Sequence, residues 1–372
     1  MKTAFLLLLT AFFAAPTLVH AQSSVVHDTQ MFEKAKVIQI LDESTSKIPG
    51  TETTTQTQTL TVEVLSGPDA GKSITFDNDY IQLKEGDVFY VRHQTNEFDG
   101  TDFWSVADPY RLPILGILSV VFIALIFIFG GIQGIRGFAS LIGSLVLIFY
   151  ILIPNIYAGY SPVLVSIGVS SLIIILGSYI THGFNRTTSS AVIGMIVTVI
   201  ITGIFGYLAV LQARLSGYSS EEIVYLNFDT HGAMDMTALL FAGIMIGLLG
   251  VLYDIAIGQA VAVEELFRAG AHLSRTDVYK RGIRIGREHI GALVNTLAIA
   301  YVGAALPLLL LVQSADTDIW FILNSEVFST EIIRVLIGSI GLVLAVPITT
   351  LIASHMLSVR YTKEHPPTGH SH

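Results

Sequence analysis

From Leu112 onward the chain is a succession of apolar runs, at 112–130, 137–153, 162–180, 191–211, 236–254 (extending in composition to 263), 289–312 and 332–357. A bilayer core takes about 20 apolar residues of helix. Inside lipid every backbone N–H and C=O must find its partner within the segment or in a closed barrel. These runs are too long for barrel strands, so the sequence predicts a polytopic α-helical membrane protein with about seven transmembrane helices. The composition agrees, with 52% apolar and 13% charged residues. Whether 236–263 forms one helix or two is open, because Gly258 and the Tyr253-Asp254 pair permit a break.

The N-terminus predicts export. Lys2, an apolar core from Ala4 to Ala15 and the small-residue site Val19-His20-Ala21 read as a signal peptide, residues 1–21, cut after Ala21. Residues 22–111 then form a small extracytoplasmic β domain. Phe32–Leu41, Thr57–Leu65, Lys72–Phe76 and Gly86–Gln94 are rich in Val, Ile, Thr and aromatics, and Leu60, Val62 and Val64 alternate with Thr59, Thr61 and Glu63. Gly67-Pro68-Asp69 and Glu85-Gly86-Asp87 supply turns. Five short strands suit an OB-like barrel; a sandwich fits the same pattern. This domain holds 15 acidic against 7 basic residues, a balance of −8 within a chain of −9. Such a surface repels nucleic acid, so no nucleic-acid partner is expected.

With that domain outside, charge sign sets the orientation of the helical domain, residues 112–360, and of a tail at 361–372. The inner side receives Arg136, Arg186, Arg268, Arg275, Lys280, Arg281, Arg284, Arg287, Arg360 and Lys363, whereas the outer connections receive Arg214 and Arg334. The positive-inside rule therefore predicts N-terminus out and C-terminus in. The chain has no cysteine, which excludes disulfides, thiolate metal sites and cysteine nucleophiles. His365, His370 and His372 read as part of a solvated tail.

The chemistry-bearing residues concentrate between 254 and 295. Asp254 and Gln259 interrupt an apolar run that ends in Glu264-Glu265. A carboxylate in hydrocarbon costs several kcal/mol unless paired, hydrated or protonated. On one helix Asp254 and Glu265 are three turns apart and share a face, which predicts a polar path for a cation or proton. With a break near Tyr253, the acids would instead lie in an interfacial helix. Glu288, His289 and Asn295 on the next run are candidate partners, with Asn295 suited to an interhelical hydrogen bond. His182 and Asn185 read as interfacial caps. Asp229, His231 and Asp235 have a spacing that could hold a divalent metal, and Asp235 is equally placed to cap a helix. Gly243, Gly247 and Gly250 allow close helix approach, within the fold or between protomers of a homo-oligomer. Pro154, Pro162, Pro307 and Pro347 predict kinks.

Three look-alike motifs fail on detail. Ser66-Gly67-Pro68-Asp69-Ala70-Gly71-Lys72-Ser73 lacks the first glycine of a phosphate loop and joins two strands. Tyr253-Asp254 has no second aspartate motif to make an aspartyl protease. Glu264-Glu265-Leu266-Phe267-Arg268 is one residue short of the membrane glutamyl protease motif, and no suitably spaced Phe-x-x-x-His follows. No cofactor is expected.

The order of features is informative as a whole. A β domain ending DFWSVADPYR (102–111) precedes THGFNRTTSSAVIGM (181–195), GLLGVLYDIAIGQAVAVEEL (247–266) and GREHIGALVNTLAIAYVGAALPLLLL (286–311). In these segments the chain resembles the YibE/F family of bacterial multi-pass membrane proteins. The resemblance implies a bacterial plasma-membrane protein, sometimes labelled a permease, and carries over no functional residue. The expectation from the residues is a permease for a cation or small solute. The alternative is a membrane-anchored binding or sensor module whose external domain meets an envelope or membrane partner.

Overall fold

The structure is a computed structural model that describes residues 29–47, 54–96, 100–270, 273–314 and 317–364. The expected signal peptide and the three tail histidines lie outside the described residues. The chain divides into two compact units, 1–122 and 123–372.

The first unit is built on one antiparallel sheet. Its strands are β1 (Thr29–Lys47), β2 (Thr54–Val64), β3 (Ser73–Asn78), β4 (Val88–Thr95) and β5 (Asp102–Pro109), in the order β3-β2-β1-β4-β5. β1 is long enough to pair with β2 along one edge and β4 along the other, and register shifts at Val37/Gln39 and Ile40/Asp42 curl it. The result is a half-barrel whose edge strands β3 and β5 approach without a shared ladder. Of the two alternatives this is nearer the OB-like barrel than the sandwich, since the described strands make one sheet. Ala35, Val37, Leu60, Val62, Phe89, Val91 and Val106 alternate inward to make the core, joined by Leu83 from a loop.

The chain from Leu112, at the end of the first unit, through the second is helical. The stretch beginning at Leu112 comprises α1 (Leu112–Leu147), a π turn (Ile148–Leu152) and α2 (Ile153–Tyr157). Then follow α3 (Pro162–His182), α4 (Arg186–Gln212), α5 (Glu221–Asp229), α6 (Met236–Ala269), α7 (Arg275–Ala304), α8 (Leu306–Ser314), α9 (Ile319–Asn324) and α10 (Glu326–Glu364). Among the described residues five stretches are long and apolar enough to cross a membrane: 112–157, 162–182, 186–212, 236–269 and 326–358.

Two features separate these five from the seven expected runs. The first two runs are continuous in helix but bent at Gly131, which has φ 52° and ψ −141°. Phe127 and Phe138 pack edge to face at 6.3 Å, and a Cβ on Gly134 would fall 2.5 Å from the Ile126 carbonyl oxygen. A straight helix would put Ile126 and Gly134 about 12 Å apart along its axis, so the chain doubles back here. The run at 289–312 is divided at Ala305, between α7 and α8, and the first half of α7 is too charged to count. Pro162 sits in the first turn of α3, where its missing N–H costs nothing, while Pro347 is inside α10.

Close packing holds the bundle. Lipid tails are as apolar as leucine, so packing rather than hydrophobic transfer joins helices in a membrane. Ser190, Gly194, Thr198, Thr202 and Gly206 recur every fourth residue on α4 and are buried. A Cβ on Gly194 would lie 2.5 Å from Thr349 Oγ1 of α10, and one on Gly341 2.9 Å from Leu248. Met195, Phe241, Met245, Leu248, Leu252 and Leu357 fill the remaining space.

Candidate functional site on helix α6

Residues 236–269 form a single helix, which resolves the open question of one helix or two. Asp235 is its N-cap, its carboxylate accepting from the Ala238 N–H at 3.0 Å. With a rise of about 1.5 Å per residue, Asp254 lies roughly 15 Å along the axis from Glu264 and about 28 Å from Asp235. If Glu264 marks one edge of a bilayer core about 30 Å thick, Asp254 is at mid-depth.

The helical turn sorts the candidate residues onto different sides of α6. Gly243, Gly247, Gly250, Asp254, Gly258, Val261 and Glu265 are all exposed and share one face. A Cβ on Gly243, Gly250 or Gly258 would meet nothing within 4 Å, and one on Gly247 would lie 3.1 Å from Tyr301 Oη of α7. The face is therefore an open strip, floored by glycine and carrying one carboxylate at its centre. Tyr253, beside it, donates its hydroxyl to the Gly177 carbonyl of α3 at 3.3 Å.

Gln259 points elsewhere. It is 2% exposed, and its Nε2 donates to the Gly282 carbonyl at 2.7 Å and to Thr350 Oγ1 at 2.8 Å. It ties α6 to α7 and α10. A Cβ on Gly286 would lie 2.4 Å from Val346 Cγ1 and 2.9 Å from Gln259 Oε1, so glycine is required for this contact.

Glu264 occupies an intermediate side. Its Oε2 accepts from Thr187 Oγ1 at 2.7 Å and its Oε1 from Arg268 at 2.8 Å. Glu265, which is exposed, also binds Arg268, at 3.0 Å. Around Glu264 is a recess of about 120 Å³ lined by His182, Asn185, Thr187, Thr188, Ile257, Ala260 and Val261. Asn185 caps α4, accepting from the Thr188 N–H at 2.7 Å, as its position predicts. Ile257 is one turn from Asp254, so the recess reaches the edge of the open strip. Thr187 has no signal in sequence, being 77 residues from Glu264. The Gly282-to-Gly286 spacing could have been found from sequence.

The remaining candidates are dispersed. His289 and Asn295 are exposed on α7, with His289 Nδ1 3.1 Å from the Ile285 carbonyl. Asp229 accepts from the Tyr157 hydroxyl at 3.3 Å, and His231 has a positive φ of 51° with its ring turned to the Asp229 carbonyl at 3.2 Å. Among the described residues no three His, Asp or Glu side chains are grouped to hold a metal.

The β unit has a polar cluster of its own. His93 is buried and stacked on Trp104, with centroids 3.8 Å apart. Its Nε2 is 3.0 Å from Asp102, and its Nδ1 is 2.9 Å from Asp69 but off the angle a hydrogen bond needs. The Lys72 ammonium bonded to Asp69, with His93 adding to it, holds that carboxyl below its ordinary range. A hydrogen bond from Thr95, then one from His93, does the same for Asp102.

A half-barrel followed by apolar helices of bilayer-spanning length is the architecture of a membrane protein. The model of the YibE/F-like protein family matches residues 118–359, and that of the YibE/F family N-terminal domain matches residues 31–95. The chain belongs to the YibE/F-like family. No curated protein matches the chain, and no solved structure does.

Proposed function

We propose that the protein is a permease that passes a cation or small solute along the open strip of α6. The observation that carries this reading is Asp254, a carboxylate exposed midway along α6 on a glycine-lined face that borders a polar recess at Glu264. Exposed to lipid, that carboxylate would cost several kcal/mol; facing water, it becomes a binding point with room beside it. In this reading the chain crosses the membrane seven times. The reversal at Gly131 lets residues 112–157 cross twice, and α7 with α8 supplies another crossing. Ten inner cations against two outer ones support a β domain outside and a C-terminus inside. In this reading Asp229, His231 and Asp235 lie at the outer start of α6, where Asp235 is the cap. The Cys-free chain suits a direct test. Asp254→Cys is exposed to a membrane-impermeant thiol reagent from each side, with Asp277→Cys as the inner control. Labelling at 254 that ions or candidate solutes slow is the expected result. Absence of labelling, or free labelling from the inner side without protection, would overturn the proposal.

A second reading has an observation of its own. Phe32 and Phe103 are 58% and 57% exposed on the β sheet, with Arg92 beside Phe32. An aromatic surface of this kind suits a binding module for an envelope partner. Asp254→Asn with function intact and Phe32→Ala with function lost would favour that reading over transport.

A further inference from the structure

The basic segment after α6 is helical. Residues 275–304 form the continuous helix α7, and Lys280, Arg281, Arg284 and Arg287 lie on one side of its first half. All four are exposed, and none makes an ion pair or hydrogen bond among the described residues. The opposite side of the same turns is locked. Val278, Gly282 and Gly286 are buried, Gln259 binds the Gly282 carbonyl, and a Cβ on Gly282 would lie 2.8 Å from Thr350. The helix cannot roll to hide its cations. Two acids share the cationic side, Asp277 and Glu288. Asp277 is engaged at the helix start by Ser274 at 2.6 Å; that bond, with the nearby charges of Lys280 and Arg281, holds its carboxyl below the ordinary range.

From Ile290 the same helix turns apolar, with Leu293, Val294, Leu297, Ala298 and Ile299. The cations therefore end one turn from sequence suited to hydrocarbon, which is the level of lipid headgroups. We infer that Lys280, Arg281, Arg284 and Arg287 form a docking surface for anionic phospholipid, binding headgroup phosphates at the membrane surface. Charge complementarity and the apolar continuation favour lipid over a nucleic acid or an acidic protein, which would not need the cations at that level. The inference rests on membrane insertion and is independent of transport.

The test uses the full chain in nanodiscs of phosphatidylcholine with one quarter phosphatidylglycerol. Enrichment of the anionic lipid around the protein is read by native mass spectrometry or by a spin-labelled lipid. The expected result is enrichment that disappears at high salt, with a relative association constant for the anionic lipid that falls by up to roughly fivefold for each cation removed by K280Q, R281Q, R284Q and R287Q in turn. Arg→Lys changes at 281, 284 and 287 should retain most of it. Enrichment that ignores salt in the unaltered protein would overturn the inference, whether or not any variant folds. So would displacement by millimolar inorganic phosphate, or binding of an acidic protein or nucleic acid with no lipid preference.

Discussion

Helix α6 has two sides that differ in kind. On the Gln259 side the polar groups are engaged: the amide donates twice, Gly282 and Gly286 admit the neighbouring helices, and the Thr350 hydroxyl donates to the Val346 carbonyl at 2.6 Å. On the Asp254 side three of four glycines have nothing within 4 Å, and the carboxylate is exposed. Both sides carry small residues with a polar group among them, yet one is a joint and the other an open strip. Small residues on a membrane helix thus have two uses, and only the presence of a neighbour tells them apart.

Substitutions of equal size should separate the two sides. Gly286→Ala forces a methyl against Val346 and Gln259, and we expect a loss of about 1–3 kcal/mol, read as a lower unfolding midpoint in detergent. Gln259→Leu should cost about 1–2 kcal/mol. The cost stays moderate because Thr350 keeps its bond to Val346 and the Gly282 carbonyl remains in a helix. Gly258→Ala should do the reverse, raising stability by up to about 1 kcal/mol through helix propensity with no clash. A Gly258→Ala loss as large as that of Gly286→Ala would mean that the strip is covered and the contrast is false.

How far this was legible in sequence follows from the physics of each element. Run length and charge identify helices of spanning length and a β domain before them, because those properties are local. The alternation of Leu60, Val62 and Val64 places β2 correctly for the same reason. β5 was not delimited, because its inward residues are interrupted by charges and it ends at Pro109. The candidate site was legible as a list and not as a geometry. Asp254, Gln259 and Glu264 look like one line in sequence, but 100° per residue turns Gln259 by about 140° from Asp254. Its partners Gly282 and Thr350 are 23 and 91 residues away, and no local pattern reports a contact of that range.

The contrast also bears on charge. Asp254→Asn removes the charge and keeps the shape. On an open strip we expect folding and unfolding midpoint unchanged while transport-dependent function is lost in a genetic assay. A fall in midpoint comparable to that of Gln259→Leu would assign Asp254 to packing.

The smallest effect we expect lies in the β unit, where His93 and Asp69 are buried as Gln259 is while Lys72 and Asp102 reach solvent. Asp69 and Asp102 take up protons less readily in the fold than in the unfolded chain. Their stabilising contribution is therefore complete above the ordinary carboxylate value of 3.8 and fades as pH falls below it through their folded values. Asp69 ties the β2–β3 turn to Lys72 and stands beside His93, and Asp102 meets His93 across the β4–β5 ladder. Acid should thus loosen the half-barrel first at its open seam, where β3 and β5 share no ladder. Trp104, stacked on His93, reports this directly, and the chain's other tryptophan, Trp320, is exposed and can be changed to Phe. In Trp320→Phe the emission of Trp104 should hold steady down to about pH 4 and shift as pH drops further, below the ordinary carboxylate range. Asp69→Asn should remove part of that shift and lower stability at neutral pH, since the amide cannot pair with Lys72. An unchanged acid profile in Asp69→Asn would place the seam's stability in the apolar core of Phe89, Val91 and Val106 instead.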